Sequence, residues 1–153
     1  MNHMLVIMLV LIVCACSSSS EDNTNPLAGT WLSNCHARND SNGVFIAYSI
    51  ISIIITDNMS STTTTEYTDS SCTISNGTTF TLDENYTLGE QVTTTDGVEA
   101  QRITFKSEYI LFAQPIIASR EMVYRITGVE LYFGDYTNDT TPSLDYAVTY
   151  IKQ

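Results

Sequence analysis

The chain has 153 residues, with 6 basic and 17 acidic side chains and a formal net charge of −11. So acidic a chain, with few and scattered cations, repels phosphate backbones and anionic lipid surfaces, which argues against nucleic acid as a partner. The length suits one domain able to bury roughly two-thirds of its unfolded surface.

In chain order, the first element is "MNHMLVIMLVLIVCA". Its apolar run, Met4 to Val13, falls well short of the about 20 residues that cross a bilayer. It fits the apolar region of a signal peptide, closed by small residues before a cut. The ending Val13-Cys14-Ala15-Cys16 resembles a bacterial lipobox, in which a small residue precedes the cysteine that is lipidated and becomes the mature N-terminus. Cys16 fits this better than Cys14, which follows the branched Val13. Residues 1–15 therefore read as a lipoprotein signal peptide. Residues 16–26, "CSSSSEDNTNP", read as a flexible Ser-rich tether too polar to fold. A Ser just after the cysteine resembles the outer-membrane sorting pattern. The expected location is the bacterial cell envelope, lipid-anchored at the outer membrane, with the membrane as partner through the N-terminal anchor.

Removing residues 1–15 from the 153 leaves 138, and with Cys16 lipidated only Cys35 and Cys72 remain free to pair. Two cysteines in an exported chain read as one disulfide. The alternative, a reactive or metal-binding pair, lacks the CxxC spacing.

Residues 27–153 form the domain. Its 22 threonines mostly fall here, with 9 tyrosines and many Ile and Val, all suited to a pleated, half-buried surface. Strands are expected at 28–34, 44–56, 59–68, 85–95, 99–107, 109–113, 121–127, 129–133 and 144–152. Turn signals separate them: "NDSNG", "TDN", "SNG", "TDG", "TG" and "DYTNDTTP". Asp96-Gly97 between alternating runs is the clearest hairpin. Strands at this density predict a barrel or a sandwich. Leu144, Tyr146, Val148 and Tyr150 share one face of the last strand, and Val129, Leu131 and Phe133 one face of the strand before it. "VFIAYSIISIIIT", at 44–56, is apolar on both faces. It reads as a central strand covered on both sides, with an outward apolar patch as the alternative. In the hydroxyl-rich strand that follows, Thr62, Thr64 and Glu66 share one face, opposite Thr63, Thr65 and Tyr67.

Gly29-Thr30-Trp31 opens the first strand with the only Trp of the chain. This resembles the Gly-x-Trp start of lipocalins and related calycin barrels. The ordered set "GTWLSNC", "YTDSSC", "YTLGEQVTTTDGVEA", "LYFGD" and "PSLDYAVTYIK" is similar to uncharacterised bacterial lipoproteins over most of residues 27–152. The resemblance implies an all-β fold: a lipocalin-like, antiparallel, up-and-down β-barrel of about eight or nine strands, with the two cysteines paired. It gives Gly29 and Trp31 a barrel-closing role. It also implies an Arg packed on the Trp, for which Arg120 and Arg125 are the nearest candidates.

Catalytic chemistry has little to stand on. The domain's single histidine, His36, would need Asp40 to orient it in a Ser-His-Asp site. It reads better as a strand-edge residue. No G-x-S-x-G, H-E-x-x-H or glycine-rich phosphate loop is present. "GDYTNDTTPSLD" offers oxygen ligands of the kind Ca²⁺ takes, without the spacing of a calcium loop, and reads as a turn. No catalytic residue, metal or cofactor is expected. The reading is a non-enzymatic, monomeric module holding a small apolar ligand, with Tyr67, Tyr86, Phe105, Tyr124, Phe133, Tyr146 and Tyr150 as candidate lining. The alternative is a surface structural or adhesion lipoprotein acting through its outer strands.

Overall fold

The computed structural model describes residues 25–111, 114–136 and 141–153. The expected signal peptide, Cys16, most of the tether, the end of the expected strand 109–113 and the centre of "DYTNDTTP" lie outside them. Among the described residues there is no helix. Ten strands occur: β1 Gly29–Ser33, β2 His36–Asn39, β3 Phe45–Ile55, β4 Met59–Tyr67 and β5 Ser75–Thr93, then β6 Glu99–Leu111, β7 Gln114–Thr127, β8 Glu130–Asp135, β9 Ser143–Leu144 and β10 Tyr150–Lys152.

Strands β1, β3, β4, β5, β6, β7, β8 and β10 each pair antiparallel with the next, and β10 pairs back onto β1. The result is a closed, eight-stranded, up-and-down antiparallel barrel. Strand β2 continues the line of β1 along β3, and β9 adds to the edge of β8. The Cys35–Cys72 disulfide expected from cysteine counting is formed. It ties the β1–β2 link to the β4–β5 turn.

Alternation decides the inside. Cross-strand partners share a face, and the pairs Trp31↔Ile53, Ile53↔Thr62, Thr62↔Leu82, Tyr86↔Phe105 and Tyr124↔Phe133 carry that face around the barrel. One end is packed solid. Leu27, Trp31, Ile103 and Leu131 are fully buried there beside Ile55, Tyr86 and Tyr124. The indole Nε1 of Trp31 donates to the Leu27 carbonyl at 2.7 Å, so the largest side chain of the floor buries no orphan donor. The cation over Trp31 is neither Arg120 nor Arg125. Lys152, directly across from Trp31 in register, places its Nζ 5.2 Å from the ring centre. Gly29 makes room for that stem: its φ is +135°, and a Cβ there would lie 2.9 Å from Lys152 Cε. Arg125 instead faces Asp96 and Tyr146, on the outside.

Several strand expectations change. Strand β5 starts ten residues earlier than expected, through the "SNG" read as a turn. The expected strands 99–107 and 109–113 are one, because "KSEY" holds no residue that forces a turn. The expected strand 144–152 is broken. Asp145 accepts the Ala147 N–H in its own turn, and only Tyr150–Lys152 fill the gap between β8 and β1. Residues ahead of the break lie over the outside of the barrel, where Leu144 packs with Ala100 and Val123 in a second small core. A Cβ at Gly134 would fall 1.8 Å from the Ser143 carbonyl, so only glycine lets β9 lie this close. Strand β3 also differs from the preferred reading. Ala47, Ser49, Ile53 and Ile55 are buried inside, but Ile46 and Ile54 on the other face are exposed. No second layer covers them among the described residues.

Candidate functional site

Above the packed floor the barrel is not filled. A cavity of about 360 Å³ lies inside, open to solvent. Opposite sides of its wall differ in chemistry. Thr62 and Thr64 of β4 present hydroxyls, while Phe105, Met122, Phe133 and Tyr150 of β6, β7, β8 and β10 present an aromatic and thioether wall. Ile51, Ile53, Phe80 and Leu82 complete the apolar lining. A second recess of about 420 Å³ shares Ile51, Met122, Phe133 and Tyr150 and runs out between β8 and the segment carrying Ser143, Leu144, Asp145 and Val148.

The cavity persists because the sheet opens beside it. Strands β5 and β6 pair only as far as Asn85↔Lys106. Beyond that point β5 runs on beside β4 alone, and β6 runs on beside β7 alone. Phe80 and Leu82 face the interior yet remain 53% and 45% exposed, since among the described residues only β4 pairs with this part of β5.

Charge is present at the wall but neutralised. Arg120 donates to Glu84 Oε2 at 2.5 Å and lies 4.7 Å over the Phe105 ring. Glu84 is buried, and its pairing with Arg120 offsets a desolvation cost that an unpaired carboxylate could not bear. Nearer the rim, Glu66 accepts from Asn76 Nδ2 at 3.0 Å and from Arg38. The Asn76 bond first, then the Arg38 contact, hold its carboxyl below the usual range against the opposing effect of burial. Burial pushes the Tyr150 phenol up to about 12, so at neutral pH it is an uncharged wall group. Burial raises the Tyr86 and Tyr124 phenols in the same direction.

No protein-family model, curated protein or solved structure matches this chain.

Of the candidate lining residues, Phe105, Phe133 and Tyr150 come together at the cavity. Tyr86 and Tyr124 lie in the packed core, with the Tyr86 hydroxyl donating to the Thr56 carbonyl at 2.6 Å. Tyr146 stands outside the barrel, donating to Asp96 at 2.6 Å with its ring 5.3 Å from that of Tyr132. Tyr67 pairs across from Tyr48, on the opposite parity from the inward Glu66. Gly29 and Trp31 stand at the closed end. His36 contacts the Asn34 carbonyl at 3.0 Å. Asp40 accepts the backbone N–H groups of Val44 and Asn42, which lower its pKa and commit it to the turn.

Sequence reasoning missed Phe80, Leu82, Arg120 and Met122. A usable signal existed for the first two: in "FTLDENY", Phe80, Leu82, Glu84 and Tyr86 alternate through a stretch not read as a strand.

Proposed function

We propose that this chain is a lipid-anchored envelope lipoprotein whose lipocalin-like barrel holds a small apolar ligand without catalysis. The observation that carries this reading is the open cavity itself. A packed eight-stranded barrel has room for its own side chains or for one small ligand, and here about 360 Å³ is left to a ligand. The lining is mostly apolar, with the hydroxyls of Thr62, Thr64 and Tyr150 and the Glu84-paired Arg120 as its polar groups, the chemistry that takes up a lipophile and orients a polar group on it. The anchor at Cys16 and the outer-membrane location rest on the leader sequence "LIVCAC" followed by serine.

The test is direct. The purified protein is extracted with organic solvent for mass spectrometry and titrated with an environment-sensitive apolar dye. Binding is expected, and Met122→Trp, which fills the cavity, is expected to abolish it with the circular dichroism of the barrel retained. An unsubstituted protein that carries no lipophile and takes up no dye overturns the reading. Acyl chains on the peptide beginning at Cys16 test the anchor separately.

A second reading, a surface structural or adhesion lipoprotein, draws on the outer face. Ile46 and Ile54 of β3 are exposed there, and Leu32 and Ile151, which face each other across β1 and β10, are exposed beside them. Pull-down of envelope components that is lost on Ile54→Lys favours this reading.

A further inference from the structure

The free edges of this sheet are not alike. Strand β2 is four residues long, carries Arg38 and ends in a bulge at Arg38/Asn39. The stretch of β7 beyond its pairing with β8 carries Pro115 and Arg120. Shortness, bulges, Pro and cations are the usual guards against edge-to-edge pairing. The run Thr79–Glu84 of β5 has none of these, and neither does Ser107–Leu111 of β6, which likewise pairs on one side alone among the described residues. The β5 run pairs regularly with β4, from Thr79↔Thr65 to Glu84↔Ser60, and no strand pairs with its other edge among the described residues. Its two acids sit together at one end, and Glu84 turns inward to Arg120.

The same run is self-complementary. Set antiparallel to itself and centred on Thr81, it places Thr81 opposite Thr81, Phe80 opposite Leu82, and Thr79 opposite Asp83. Every such pair shares a face, apolar meets apolar on the inner side, and no like charges oppose. A slip of one residue sends the apolar side chains to the wrong face. Centring on Leu82 sets Phe80 against Glu84, and centring on Phe80 sets Leu82 against Thr78.

We propose that β5 pairs with the β5 of a second copy of this chain across a twofold axis at Thr81, forming an isologous dimer. The pairing satisfies a row of backbone donors and acceptors that only another backbone can match. It also continues the wall where the barrel is open. The half-exposed Phe80 and Leu82 that line the cavity gain Leu82 and Phe80 of the second copy beside them on the same face. Each cavity is completed by the other chain. Because each copy carries −11, the two chains repel at long range, and the association strengthens as salt screens them.

Sedimentation velocity of the purified protein, from dilute to concentrated solution and at low and physiological salt, is the first test. A monomer–dimer equilibrium that tightens with salt is expected, and Thr81→Lys, which sets two like charges on the axis, weakens it by about tenfold or more. Thr81→Cys is expected to link two chains on mild oxidation, while Thr79→Cys, which faces Asp83, does not. The unsubstituted chain on the same non-reducing gel controls for Cys14 and Cys16. A monomer at every concentration, or linking of Thr79→Cys as readily as Thr81→Cys, overturns the proposal. Should Thr81→Lys fail to fold, the cysteine pair still decides.

Discussion

At the closed end of the barrel Leu27 and Trp31 are buried completely over Ile55 and Ile103, and the Trp31 indole, the Leu27 carbonyl and Lys152 seal the rim. At the open end Phe80 and Leu82 stay half exposed, and the chain is held instead by the Cys35–Cys72 bond and by Glu66 with Arg38 and Asn76. Apolar burial that a filled barrel would gain on closing is forgone where the cavity opens. A covalent link and directional polar contacts supply order there without filling space. One small sheet thus combines a packed floor with an accessible interior.

Three measurements test that contrast. The largest effect belongs to the floor. Trp31→Ala should cost 3 to about 5 kcal/mol in urea denaturation, as removal of a fully buried aromatic does. Phe80→Ala at the open end should cost about 1 kcal/mol or less, because much of that ring is already in water. Equal losses at the two sites would erase the distinction.

Second is the disulfide, which closes a loop with a sequence separation of 37. Reduction, or Cys35→Ser with Cys72→Ser, should remove up to about 4 kcal/mol on the chain-entropy account. The loss should be local in character. Hydrogen exchange is expected to rise first in β2 and in residues 68–78, while Trp31 fluorescence stays that of a buried indole. Early exposure of Trp31 would show that the bond supports the floor as well.

Smallest is the alkaline response of the buried phenols. Tyr150 is held up to about 12, whereas an unfolded tyrosine ionises near pH 10. Its contribution is therefore fully present below pH 10 and is lost as pH rises toward 12, by about 2 to 3 kcal/mol in all. Burial pushes Tyr86 and Tyr124 in the same direction. Absorbance titration should show a late-ionising group that disappears in Tyr150→Phe, together with a shallower stability loss above pH 10. Titration of every tyrosine near 10 in the folded protein would mean that water reaches the Tyr150 wall freely.

Much of the barrel was legible from local pattern. The β-branched and aromatic runs, the Asp96-Gly97 turn and the Gly-x-Trp start each act within a few residues, and each found its place in the sheet. The ends of strands were less so. "SNG" carries ordinary turn chemistry, yet it is absorbed into β5 because Tyr67↔Ser75 pairing and a bulge carry the chain past it. The tyrosines show the same limit. Tyr146 and Tyr150 have the same parity in sequence, but the turn closed by Asp145 sends one outside and the other to the cavity.

The all-β class and the pairing of Cys35 with Cys72 could be read from the chain alone, because residue type, cysteine count and alternation are properties of short stretches. Folding settled which face of each strand lies inward, where β5 and β6 part, and that Lys152 rather than an arginine covers the indole. Those outcomes depend on cross-strand register and barrel closure, which join residues far apart in the chain and leave no trace in any single segment.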